Sequence, residues 1–146
     1  MANPLKKRFW FILILFVILG IFATVTIPKS PYYLFENETP AKVVYVSAMQ
    51  FAFVMSEKAI DPLRPSGQAI ELPVNQLIEF RVTSTDVNHG FAIYNGEGTL
   101  LTQTQAMPGY VNRLRYKFSE PDTYKIFCLE YCGMAHQGMA SSFIVK

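Results

Sequence analysis

The sequence predicts an all-β domain, a sandwich or barrel of short strands, behind a single membrane-spanning helix. Two observations lead there. One long charge-free apolar run lies near the N-terminus, and after Tyr33 short β-rich runs alternate with turn residues while no amphipathic helix of useful length appears. The chain has 146 residues, enough for one domain with a proper core and little more. Its composition, 51% hydrophobic and 16% charged, is too apolar for a disordered chain and too charged for a polytopic membrane protein.

The apolar run is Phe9 to Ile27, nineteen residues without a charge. At the helical rise it is roughly 28 Å long, close to a hydrocarbon core of about 30 Å. Trp10 sits at one end, with Tyr32 and Tyr33 just past the other, as in an interfacial aromatic belt. Lys6, Lys7 and Arg8 precede the run and only Lys29 follows closely, so the positive-inside bias predicts a cytoplasmic N-terminus and an extracytoplasmic domain. A cleaved signal peptide fits less well, because the run exceeds the usual apolar region and no A-x-A site closes it. The expected organisation is a cytoplasmic N-terminus over 1–8, a transmembrane helix over 9–27, a linker over 28–41 marked by Pro28, Pro31 and Pro40, and a domain over 42–146.

Within the domain, Lys42–Met55 is rich in β-branched and aromatic residues. Ser56–Gly67, broken by Pro62 and Pro65, reads as a loop, and Gln68–Leu72 as a short edge strand stopped by Pro73. In Gln76–Ser84, Ile78, Phe80 and Val82 alternate with Glu79, Arg81 and Thr83, the period of a half-buried strand. His89–Tyr94, Val111–Phe118, Thr123–Leu129 and Ser141–Val145 complete about seven strands, a count resting on turn signals such as Asn95-Gly96, Pro108-Gly109 and Pro121-Asp122. From Tyr33 onward nine Lys/Arg face eleven Asp/Glu, so the domain lacks the basic footprint of a nucleic-acid binder.

The stretch that carries chemistry is Cys128-Leu-Glu-Tyr-Cys-Gly-Met-Ala-His-Gln-Gly-Met139. It holds two thiols, an imidazole and two thioethers, soft or borderline ligands that favour copper over magnesium or calcium. It also lies between two expected strands, which gives it a rigid base. A mononuclear blue-copper site needs one cysteine; a second thiolate gives capacity for two metals bridged by two sulfurs. The only other histidine is His89, in Asp86-Val-Asn-His-Gly-Phe91, and a neighbouring strand can deliver it. The competing reading of Cys128 and Cys132 is a disulfide, which an oxidising compartment allows but which leaves His136 and Met139 unexplained. Met134 is off the pattern and reads as a surface or packing residue.

The pattern Cys-x-Glu-x-Cys-Gly-x-x-His-x-x-Met, with an upstream Val-x-His-x-Phe, resembles the dinuclear copper A motif of haem-copper cytochrome c oxidase subunit II over roughly residues 42–146. The resemblance implies a cupredoxin-like Greek-key β-barrel or sandwich. It implies that Cys128 and Cys132 bridge two coppers, that His89 and Met139 complete one copper, and that His136 and the carbonyl of Glu130 complete the other, or that the two histidines are exchanged. It further implies an electron-relay subunit of a proton-translocating terminal oxidase. That subunit takes single electrons from a cytochrome c or small copper protein. It passes them to haem in a polytopic catalytic subunit I, where oxygen is reduced to water. The Glu130 carboxylate would then turn toward the catalytic subunit, or else be a solvated loop carboxylate.

Two features depart from most subunits II: one membrane helix instead of two, and Met49-Gln-Phe-Ala-Phe53 where a Trp-rich run usually receives the electron. Both resemble the smaller subunit II of B-type oxidases. Phe51 and Phe53 share the same-face spacing of a strand; core packing is the default, and an electron-uptake surface is the alternative. The copper A subunit of a nitric oxide reductase would carry the same motif. A membrane-anchored Sco-type copper chaperone shares the anchor, the Cys-x-x-x-Cys pair and a distant histidine, but needs a thioredoxin-like alternation of helices and strands. Nitrous oxide reductase, with a second copper domain, is much longer.

Overall fold

The computed structural model describes residues 3–30 and 33–146 and divides them into two units, one ending at Glu36 and one beginning at Asn37. Pro31 and Tyr32, assigned above to the linker and the aromatic belt, lie outside the described residues. The first unit is a helix, α1 (Pro4–Thr26), continued by one 3₁₀ turn over Ile27–Lys29. Asn3 caps it by accepting from the Leu5 N–H at 3.0 Å. Its apolar side chains are exposed around the whole circumference, and it is long and apolar enough to cross a membrane.

The second unit is a two-sheet β-sandwich. Its strands are β1 (Lys42–Met49), β2 (Ala52–Ser56), β3 (Glu71–Leu72), β4 (Leu77–Ser84), β5 (His89–Tyr94), β6 (Leu100–Ala106), β7 (Asn112–Lys117), β8 (Asp122–Phe127) and β9 (Ala140–Val145). One sheet has the order β2-β1-β4-β7 and the other β3-β9-β8-β5-β6. β1 runs parallel to β4 and β3 parallel to β9, while the other pairs are antiparallel. β6 lies beside β7 and β2 beside β9, so the sheets meet along both edges and close most of a barrel.

Period-2 alternation explains which residues face inward. Val44, Val46 and Ala48 of β1 and Ile78, Phe80 and Val82 of β4 are buried toward the second sheet. They meet Phe91, Phe118 and Phe143; Phe80 contacts Phe143 at 5.6 Å and Phe91 at 5.7 Å between ring centroids. Phe118 and Phe143 form a T-shaped pair at 5.3 Å. Such pairs contribute roughly 0.5–1.5 kcal/mol each beyond the burial of their area.

Most strands fall where the sequence places them. Lys42–Met55 is two strands rather than one, because the chain reverses at Gln50-Phe51. β6 is absent from the sequence reading. Its residues LLTQTQA lack a β-branched and aromatic run, and its inward positions are the hydroxyl residues Thr102 and Thr104 followed by Ala106. As the edge strand beside β5, it needs little apolar surface.

Glu79 also departs from simple alternation. It lies on the outer face of β4 yet is only 1% exposed. Arg81 Nε donates to one carboxylate oxygen at 2.9 Å, and Arg115 Nε and Nη2 both reach the other at 2.8 Å. Burial alone would raise the Glu79 carboxyl, but the two guanidiniums outweigh it and hold it below its ordinary 4.5. Its contribution is therefore complete above about pH 4.5 and is lost as the pH falls through the lowered value. Glu79→Gln should cost about 2–3 kcal/mol at neutral pH, the low side for a broken buried pair, because Arg81 keeps 35% exposure. Denaturant titrations of both proteins should show the difference shrinking as the pH falls below about 4.5; a gap that is constant with pH would contradict the assignment.

Candidate metal centre

The sulfur-rich stretch leaves β8 and returns in β9, crossing one end of the sandwich. The Cys128 N–H donates to the Met139 carbonyl at 3.2 Å and closes the loop at its base. Inside it, His136 N donates to Gly133 O, Gly138 N to Ala135 O and Met139 N to His136 O, winding one 3₁₀ turn over His136–Gly138. That turn points His136 and Met139 toward the same thiol: His136 Nδ1 is 3.6 Å and Met139 Sδ 3.7 Å from Cys132 Sγ.

Cys128 and Cys132 are free thiols with their sulfurs 3.8 Å apart, well beyond the length of a disulfide bond. Cys128 Sγ donates to the Glu130 carbonyl at 3.1 Å. On its other side lies His89, at the first position of β5, with Nδ1 at 3.9 Å. A ring nitrogen of His89 and the two sulfurs lie within 4.8 Å of one another. His89 is fully buried; Cys128, Cys132 and Met139 are nearly so, and His136 is half-buried.

All six residues singled out as ligands in the sequence thus come together, Glu130 through its backbone oxygen with its side chain exposed. Phe51 and Phe53 part company. Phe53 is buried against Phe91, at 5.7 Å between centroids, whereas Phe51 sits at the hairpin tip, 37% exposed, beside Gly133. Met134, Tyr131 and Leu129 are exposed around the loop.

The residues that aim this donor set were not legible as such. Asp86 Oδ1 meets His89 Nε2 at 2.8 Å and accepts from the Val87 N–H at 2.6 Å and the Ser84 hydroxyl at 3.1 Å. Its Oδ2 accepts from the Gln50 N–H at 2.7 Å. Burial alone would raise the Asp86 carboxyl; the hydrogen bonds from His89, Gln50, Val87 and Ser84 bring it down to about 2. An ionised carboxylate only accepts, so in the neutral ring Nε2 carries the proton and Nδ1 turns a lone pair toward the thiols. Gln50 then donates its side-chain amide to the Cys132 carbonyl, tying the β1–β2 tip to the loop. A carboxylate three residues before a histidine is a signal that sequence reading can look for; Gln50 offers none.

The chemistry of the pocket suits a soft cation. Burial first, then the neighbouring Cys128, pushes the Cys132 thiol up to about 11. A thiol raised in this way gives up its proton as a bound cation replaces the positive charge. Two sulfurs, two imidazoles, a thioether and a carbonyl match copper by softness.

The fold and this pocket define a cupredoxin-like domain with a sulfur- and imidazole-rich donor set at one end of the sandwich. Residues 23–145 match the family model for the cytochrome c oxidase subunit II periplasmic domain, and the chain belongs to that family. A cytochrome c oxidase subunit 2 from Thermus thermophilus is 43% identical over 77 residues, which are 53% of this chain and 54% of that one. The chain spans about half the length of the curated relatives it matches. Among solved structures, the periplasmic domain of subunit II of cytochrome oxidase from Bradyrhizobium japonicum superposes with a TM-score of 0.58 at 22% identity, over 74% of this chain and 86% of that one. A subunit of a heme-copper terminal oxidase dimer gives 0.58 at 22% identity over 97% and 99% of the two chains. The thioredoxin-like alternative fails on topology: among the described residues the only α-helix is Pro4–Thr26, and the sheets are joined by loops and 3₁₀ turns.

The approach of β5 to the loop sets how far the donors stand apart. A Cβ on Gly90 would lie 2.7 Å from Leu129 N and 3.0 Å from its Cα, a clash with backbone that no rotamer relieves. Gly90→Ala should cost about 1–3 kcal/mol and weaken metal loading by parting His89 from Cys128. Thermal unfolding and metal titration of the variant check this; unchanged loading would show that the spacing is not critical.

Proposed function

We propose that this chain is the electron-relay subunit of a haem-copper terminal oxidase, with two copper ions held by Cys128, Cys132, His89, His136, Met139 and the carbonyl of Glu130. The observation that carries this reading is the pair of buried sulfurs 3.8 Å apart, with an imidazole beside each. When bound, the copper pair supplies a one-electron couple.

The chain's residues do the rest. Cys128 and Cys132 would hold the copper as thiolates, giving up their protons on binding. His89 is held by Asp86 in the tautomer that offers Nδ1. Burial excludes water, and the hydrogen-bonded loop keeps donor positions fixed, so little rearranges when an electron arrives or leaves. His89 and His136 would each supply one imidazole, with Met139 and the Glu130 carbonyl as the remaining donors.

The helix α1 would anchor the subunit, with Lys6, Lys7 and Arg8 on the cytoplasmic side and the copper domain on the periplasmic side. Electrons would come from a cytochrome c or a small copper protein and pass to haem in the polytopic catalytic subunit. The exposed rim of Phe51, Tyr131 and Met134 has the aromatic and methionine character of a docking surface. Phe51 is the better placed of the two phenylalanines for electron uptake, through Gln50 and its hydrogen bond to the Cys132 carbonyl.

The full chain, loaded with copper in detergent, should bind two ions and show the spin-resonance pattern of one electron shared over two copper nuclei. Cys132→Ser should lose that pattern, leaving at most a single-copper signal. A single-copper signal from the unaltered chain would overturn the two-copper reading.

A further inference from the structure

The outer face of the β2-β1-β4-β7 sheet holds a cavity of about 640 Å³ that the metal site does not use. The segment after β2 folds over it, bringing Ile60 and Pro62 above Tyr45, Ser47 and Arg81, with Val111 and Arg113 closing the far side. Its volume lies within the roughly 300–1,000 Å³ usual for small-molecule sites. The other cavity, about 400 Å³ beside β3, is lined by charges already matched as Lys42–Glu57 and Lys146–Glu71.

Register fixes what the larger cavity presents. Tyr45, Arg81 and Arg113 form one row across β1, β4 and β7, and Ser47 and Thr83 lie in the next row. Three guanidiniums, Arg81, Arg113 and Arg115, lie on this face with one buried carboxylate, Glu79. Arg81 and Arg115 hold it, and Arg81 also donates to the Tyr45 hydroxyl at 3.3 Å. Arg113 has no carboxylate partner among the described residues. The Ser47 hydroxyl, 3% exposed, lines the same cavity and is without a hydrogen-bond partner among the described residues. A buried unpaired hydroxyl is costly, and its donor is available to an occupant.

We propose that this cavity binds an apolar carboxylate that carries a second polar group at its far end. The carboxylate meets Arg113, the aliphatic middle lies under Ile60 and Pro62, and a hydroxyl or carbonyl accepts from Ser47. β1 and β7 are separated by β4 alone, so the two polar ends stand roughly 10 Å apart. The site is independent of the copper reading, because it shares no residue with the donor set.

The test uses the full chain in a non-ionic detergent, with the Ile60 δ1 methyl resonance as a local reporter that uptake into the micelle does not move. The probe is 8-hydroxyoctanoate, compared with octanoate and with 1,8-octanediol. A saturable Ile60 shift is expected with 8-hydroxyoctanoate, weakened roughly tenfold for the uncharged diol and for Arg113→Gln, as for loss of a charge-assisted hydrogen bond. Octanoate should bind a few-fold more weakly than 8-hydroxyoctanoate, and Ser47→Ala should erase that difference. Arg113 is exposed, so Arg113→Gln should keep the melting temperature of the unaltered chain. The absence of a saturable shift, as when a partner polypeptide covers the cavity instead, overturns the proposal. So does a shift indifferent to Arg113→Gln, or equal affinity for octanoate and the hydroxy acid.

Discussion

The donor pocket depends on one close approach, that of the β5 backbone at Gly90 to the backbone of Leu129. His89 and Cys128 lie far apart in sequence and come within 3.9 Å because their neighbours touch main chain to main chain. Only a residue without a Cβ permits this. The approach rests in turn on the core. Phe91, two residues into β5, is wedged between Phe53 and Phe80, and β5 pairs with β8 from Ala92 to Tyr94. Aromatic packing therefore sets the position of β5 in depth, and the ladder sets it in register.

Asp86 completes the arrangement from the other side. One carboxylate takes hydrogen bonds from the His89 ring, a hydroxyl on β4, and the backbone at Val87 and at the β1–β2 tip. It thereby joins three chain segments at the end of the sandwich that carries the ligand loop. The cost of burying it is offset by the donors around it, as its depressed acidity records. At Gly133 the backbone has φ of +131°, and the Gln50 amide and Phe51 ring close over it. The loop is thus held at its base by the Cys128–Met139 bond and at its crest by the β1–β2 hairpin.

What the sequence disclosed, and what it withheld, follows from the range of each interaction. Strands with alternating apolar residues, such as β4, are local patterns and were legible. So was the sulfur-rich loop, because its ligands are crowded into twelve residues. β6 was not, because an edge strand can bury threonine hydroxyls where a central one needs aliphatic side chains. The different fates of Phe51 and Phe53 were illegible too, because the chain turns between residues that strand spacing would put on one face. Asp86, Gln50 and Gly90 act only through partners distant in sequence, and residue type alone does not reveal that.

The pocket is unfavourable to an ionised Cys132, and this is the physical reason it suits a cation. The buried Cys132 thiol resists ionisation, and Cys128 3.8 Å away adds to that resistance, so Cys132 stays protonated at neutral pH without a counter-charge. The Asp86 carboxylate, held nearby in the ionised state, adds to that resistance. A cation reverses every one of these effects at once, because desolvation that penalises a lone thiolate strengthens its attraction to a metal. Copper held by Cys128 and Cys132 would offset the thiolate charge, and the neutral imidazole, thioether and carbonyl donors would add none. With His89 and Met139 buried and the loop tied at both ends, these donors have little room to rearrange.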